Sequence, residues 1–164
     1  AEDMTRLTLD TIGLCGFGYR FNSFYRSDLH PYVQGMVYTL DKATGLLMGG
    51  GNLADDPKVP EYRAAMNRFV DEIVAQRKEL PADAPRPRDL LGFMLDGVDK
   101  VSGEGLADET IRYEINTFLV AGHETTSGLL SFASYFLARR PEVMAKAQAE
   151  VDRLEAAMRA RRDA

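Results

Sequence analysis

One cysteine in 164 residues leaves nothing for an internal disulfide to pair, so a disulfide-stapled secreted fold is excluded and a reducing cytoplasm is the default compartment. No apolar run approaches the ~18–20 residues that cross a bilayer, and no signal-peptide pattern opens the chain. Positive charge is in deficit: 20 Lys and Arg against 25 Asp and Glu give a net charge of −5. No basic stripe falls on any predicted face, which argues against a nucleic-acid partner. The one basic cluster, Arg159, Arg161 and Arg162, reads as a solvated helix end. Histidine is almost as scarce as cysteine. His123-Glu124 invites a zinc-protease reading, but the position four residues on is Ser127, so the ligand pair fails and no metal site is predicted. Internal repeats, low-complexity tracts and alternating strand patterns are all missing. What is left, 45% hydrophobic and 27% charged, reads as a soluble all-α chain of one domain or part of one.

Helical intervals begin at once. Met4, Leu7, Leu9, Ile12, Leu14 and Phe17 form a first helix that Gly16 and Gly18 end. An aromatic-rich connection follows, in which Tyr19, Phe21, Phe24 and Tyr25 are expected to plug a core and Asn22, Ser23 and Asp28 to supply turns. His30 is expected to be solvated at the next helix start. Pro31 suits that first turn, and Val33, Met36, Val37, Leu40, Leu47 and Met48 give the helix an apolar face. Gly49-Gly50-Gly51-Asn52 stops it as a hinge or loop. Pro60 starts a third helix, with Met66, Phe69, Val70, Ile73 and Val74 inward and Arg77 among the outward charges. Pro81, Pro85 and Pro87 then make an extended linker, and Asp89 precedes a short helix closed by Gly97. A loop over 98–106 leads to the longest element, and beyond it Pro141 opens a last helix carrying Met144, Ala147, Val151, Leu154 and Met158.

That longest element, 108–139, organises the chain. Ile111, Ile115, Phe118, Gly122, Thr125, Leu129, Phe132 and Phe136 fall at alternating four- and three-residue steps, one face of a single helix. Leu119, Leu130, Ala133 and Leu137 make a second row, so burial on more than one side is expected. In its middle, at Ala121-Gly122-His123-Glu124-Thr125-Thr126, side chains shrink, and a carboxylate and two hydroxyls appear. Glycine costs about 1 kcal/mol there relative to alanine. The Thr125 hydroxyl can take the Ala121 carbonyl one turn back and bend the ladder. Local rules broken where a ligand needs room mark a functional site.

This hexapeptide resembles the oxygen-binding groove in the central helix of haem-thiolate monooxygenases, the cytochromes P450. The run Thr8-Leu9-Asp10-Thr11-Ile12-Gly13-Leu14-Cys15-Gly16-Phe17-Gly18-Tyr19-Arg20-Phe21-Asn22-Ser23-Phe24-Tyr25-Arg26, with Ile111-Arg112-Tyr113, resembles bacterial fatty-acid hydroxylases fused to a diflavin reductase. The resemblance covers about residues 1 to 155 in order. It implies a helical piece, about six helices, of the P450 fold, a haem cofactor, O2, a small hydrophobic lipid-like substrate and a flavin reductase as electron donor. Glu124 and Thr125 would guide protons to oxygen. Phe118, Ala121, Gly122, Thr125 and Thr126 would lie against the haem, while Met36, Leu40, Leu47, Val120 and Ala121 would line the substrate channel. One departure stands out: the family's Phe-x-x-Gly-x-x-x-Cys-x-Gly ligand loop has no counterpart here. Cys15-Gly16-Phe17-Gly18 matches an early helix instead, so Cys15 is expected as a core cysteine. The resemblance therefore implies an internal monooxygenase segment, inactive alone and prone to self-associate through exposed apolar surface. The competing reading is a helical scaffold with no specific haem binding.

Overall fold

The computed structural model describes residues 2–49, 55–81, 83–85 and 87–162, apart from the side chain of Leu47. Six α-helices carry them: α1 (Glu2–Phe17), α2 (Pro31–Leu47), α3 (Lys58–Lys78), α4 (Leu90–Asp96), α5 (Asp108–Ala138) and α6 (Pro141–Arg162), with a 3-10 turn at Ser23–Tyr25. Among the described residues the only extended pairing is an isolated bridge between Val98 and Gly105. No described helix is long and apolar enough to cross a membrane. The all-α expectation holds.

Punctuation residues set the helix ends. Gly18 takes φ 68° and donates its N–H to Leu14 O, while Tyr19 N–H reaches Gly13 O at 2.9 Å. Together these satisfy the orphan carbonyls of α1. Pro31 occupies the first turn of α2. The Asp89 side chain caps α4 by accepting from Gly92 N–H at 2.8 Å. Asp108 and Glu109 sit in the first turn of α5, at its positive end. Of the glycine run expected as a hinge, Gly50, Gly51 and Asn52 lie outside the described residues, and Gly49 has φ 89°.

One core joins the first five helices. Phe17, Met36, Val70, Leu91, Ile115 and Leu119 meet in it, with α1 against α5 and α2 against α3. Phe21 plugs this core as expected, but Phe24 and Tyr25 do not and stay exposed. Gly13 makes the plug possible, since a Cβ there would stand 2.7 Å from the Phe21 ring. His30 is half-buried rather than fully solvated. Its ring meets Tyr19, Phe21 and Phe69 edge-on, and its Nδ1 accepts from Tyr32 N–H. Nor does Arg77 point outward: it makes a two-pronged bridge to Asp89, both bonds 2.7 Å. Cys15 is exposed rather than in the core.

Helix α5 departs most from expectation. Its buried row is Ile111, Ile115, Leu119, His123 and Ser127, spaced four apart along the seam with α1. Phe118, Leu129, Phe132 and Phe136, expected on the main buried face, are all exposed, and so is Thr125. The two candidate rows lie about a third of a turn apart, and spacing alone cannot say which one meets the rest of the chain. Helix α6 has no buried residue.

Candidate functional site: the middle of helix α5

Two sides of one helical turn do different work. On the inner side, Thr8 Oγ1 donates to the carbonyl of His123 at 2.8 Å, fastening α1 to α5 at the hexapeptide. Gly122 faces the same seam, and a Cβ on it would come within 3.3 Å of Ile12 Cδ1 and Cγ1. Its smallness is thus already used by helix–helix packing. The His123 ring is buried, with neither nitrogen hydrogen-bonded. Burial pushes the ring below the usual histidine range, against a smaller opposing pull from Glu124.

The outer side carries Phe118, Ala121 and Thr125, spaced three and four apart and all exposed. Thr125 Oγ1 donates to Ala121 O at 2.7 Å, as its spacing suggested. The helix nonetheless runs unbroken from Asp108 to Ala138. With its proton committed to that carbonyl, the Thr125 oxygen keeps acceptor capacity toward the outer side. Glu124 and Thr126 are also exposed.

A cavity of about 430 Å³ lies between α2 and α5, lined by Met36, Val37, Leu40, His123, Glu124 and Ser127 among others. It brings together three of the expected site residues: Met36 and Leu40 from the channel set and Glu124 from the proton-transfer pair. It does not include Ala121, Gly122 or Thr125. Val120 is half-buried and packs against the core, and Leu47 has no described side chain. His123 is the functional-looking residue that sequence reasoning set aside. The series 111, 115, 119, 123, 127 was the available signal, hidden by the equally regular row beside it.

Does the strip suit a flat cofactor? Ala121 offers only a methyl group and Phe118 a ring; Gly122 adds no room here, since a Cβ on it would face Ile12. That fits a wall against a planar, apolar group. Among the described residues no cluster of three or more His, Cys, Asp or Glu could hold a metal ion, and the one thiol stands on α1. The strip offers a surface and no metal-donor set among the described residues.

Fold and strip together define an all-helical unit built round one long helix, with a small-residue, hydroxyl-bearing turn at its middle. The cytochrome P450 family model matches residues 1–162, and the chain belongs to that family, whose members use haem. It is 52% identical over 160 residues to a bifunctional cytochrome P450/NADPH–P450 reductase of Bacillus subtilis, covering 94% of this chain and 15% of that protein. A bifunctional enzyme of the same description from Bacillus cereus is 50% identical, over 93% of this chain and 15% of its own length. A self-sufficient cytochrome P450 monooxygenase of Exserohilum turcicum is also 50% identical, over 92% and 14%. The chain thus spans about 15% of the length of these relatives.

Proposed function

We propose that this chain forms the helical wall of a haem-dependent monooxygenase that hydroxylates a lipid-like substrate with O2 and electrons from an NADPH-dependent flavin reductase. The observation that carries the reading is the joining of Met36, Leu40 and Glu124 round one cavity, beside an outer strip of Phe118, Ala121 and Thr125. The names of the two Bacillus relatives, which couple a P450 to an NADPH-dependent reductase, support the electron source. The bound haem would supply oxygen activation.

The chain's own part is to shape and to protonate. Met36, Leu40 and Val120 offer an apolar lining that selects a hydrocarbon chain over a hydrated one. Phe118 and Ala121 give a planar group a dry surface to rest on, with Gly122 and Thr126 in the same turn. Thr125, bonded to Ala121 O, presents its oxygen as acceptor for one water. Glu124, exposed and next to Thr125 in the chain, can take a proton from solvent and pass it to that water.

Thr125→Ala and Glu124→Gln in the full-length protein test this. Product formation should fall by roughly 10²-fold in each, a typical loss for general acid–base catalysis, while NADPH consumption continues and is diverted to peroxide. Unchanged coupling in both variants would end the proposal. The scaffold alternative is separated by adding haem to the full-length protein, reducing it and adding CO: no thiolate-type absorbance band would favour the scaffold.

A further inference from the structure

His30 stands where α2 begins and serves as its N-cap. Pro31, at the first helical position, has no N–H, so Tyr32 N–H is the first backbone donor of α2 in need of an acceptor. His30 Nδ1 supplies it, 3.2 Å away. Asparagine, aspartate, serine and threonine are the usual caps, and their oxygens accept throughout the neutral range. An imidazole nitrogen accepts only while it carries no proton.

The two partners of the ring fix its tautomer. A backbone N–H can only donate, so Nδ1 is the bare nitrogen and the ring proton sits on Nε2. Nε2 then donates to the Tyr19 hydroxyl oxygen at 3.1 Å, a bond that the doubly protonated ring would keep. A second proton, on Nδ1, does harm in two ways. It takes the acceptor from Tyr32 N–H, and it sets a cation at the positive end of α2. Burial, and then the positive charge of Arg26, press in the same direction and hold the ring below the usual histidine range. The other charges about it are balanced in number. Toward α1 and its own segment stand Glu2 and Asp28 with Arg6 and Arg26, Glu2 being bridged to Arg6. Toward α3 stand Glu72 and Arg68, and toward α5 the ring of His123, which burial keeps neutral.

We propose that His30 is a pH-sensitive cap on α2: the neutral ring, protonated on Nε2 alone, holds the first turn closed, and the imidazolium releases it. Above the unfolded histidine value of about 6.5 the cap is fully in place, and it is lost as pH falls below that value through the folded one. Tyr32, Val33 and Met36 are buried on the first two turns of α2. The cap therefore steadies the end of the helix from which Met36 and Leu40 reach the cavity shared with α5. His30 is a positioning residue for that helix, and its action needs neither haem nor any occupant of the cavity.

The experiment follows the His30 ring nitrogens by 1H–15N NMR in the chain, without haem, as pH is lowered from about 7.5 to about 4.5, with hydrogen exchange read at the Tyr32 and Gln34 amides. At the upper end Nε2 should give the shift of a protonated nitrogen and Nδ1 that of a bare one, and the ring should titrate below about 6.5. Protection of the two amides, taken relative to buried Ile115, should fall about 5-fold with the same midpoint, which is about 1 kcal/mol, the worth of an N-cap side chain. His30→Asn supplies an acceptor that does not titrate, so its protection should stay level across the range. His30→Phe keeps a ring against Phe69 and removes the acceptor, so its protection should already be low at the upper end. His123 titrates in the same direction, but its own ring nitrogens and the Ile115 reference separate its share. Should either variant fail to fold, the parent ring shifts and the other variant decide. The proposal is overturned if Nδ1 carries the proton of the neutral ring, if the ring titrates at or above about 6.5, if amide protection does not follow the ring's midpoint, or if His30→Asn loses protection over the same range. None of these readouts involves haem, so failure here and failure of the monooxygenase reading are separate outcomes.

Discussion

Arg77 and Asp89 form a two-pronged, nearly buried ion pair whose members also serve the backbone. Arg77 Nη2 donates to Phe17 O at 3.0 Å, and Asp89 caps α4. One pair therefore ties the ends of α1, α3 and α4 together. Burial alone would raise the Asp89 carboxyl, but hydrogen bonds from Arg77 and Gly92 N–H outweigh it and hold the group below the usual carboxylate range. Arg77→Met should cost about 3 kcal/mol in urea denaturation, because it strands a buried charge. The pH limb follows from the sign. A carboxyl depressed in the fold adds stability that is present above its unfolded value of about 3.9 and lost as pH falls from there through the folded value. His123 adds a separate limb at higher pH. Its ring is held neutral in the fold, so stability is full above the unfolded value of about 6.5 and declines as pH drops below it toward the folded one. Unfolding measured from pH 7.5 down to 5 should show that decline in the parent chain and a flatter profile in His123→Phe. Identical slopes would mean that the ring is hydrated and titrates freely.

At the scale of the element, two glycines in contact with neighbouring side chains make different demands. A Cβ on Gly13 would stand 2.7 Å from two Phe21 ring carbons and 2.9 Å from the Tyr19 carbonyl oxygen, and neither can retreat without unplugging the core. Gly13→Ala should lose about 1–2 kcal/mol, overpacking exceeding the gain of about 1 kcal/mol in helix propensity. On Gly122 the same Cβ meets only the Ile12 side chain, at 3.3 Å, which can give a few tenths of an ångström. Thermal unfolding should rank Gly122→Ala well above Gly13→Ala, and equal losses would show that close packing is not what asks for glycine at 13. These positions also mark what was legible beforehand. Helix limits were, because Pro31, Asp89, Gly18 and Pro141 act within a turn of their own position. The hexapeptide was too, since its composition departs locally from helix rules. The buried face of α5 was not: two apolar rows run side by side, and the choice rests on Ile12 and Thr8, more than a hundred residues away in sequence. His30 and Arg77 were misread because contacts from other elements, Phe69 for the ring and Phe17 O with Asp89 for the guanidinium, set their surroundings.

Across the whole molecule, apolar side chains that could close a second layer face outward. Leu129 and Phe132 are each 68% exposed, Phe136 follows at 56%, and Leu154 and Met158 on α6 are similarly open. Fully burying such a side chain is worth about 1.5–3 kcal/mol. Three of them on one helix face could therefore hold two copies of this chain together, once the cost of association is met. The outer strip continues this row toward Thr125, so whatever covers Leu129 and Phe132 also shields the turn that carries Glu124. In isolation the chain should self-associate in sedimentation experiments across micromolar concentrations. Phe132→Glu with Phe136→Glu should shift it toward monomer without lowering the unfolding midpoint, because neither side chain contributes to the core. A chain that stays monomeric throughout that range, or a double variant that unfolds early, would mean that these rings are folded inward and that α5 turns a different face to solvent.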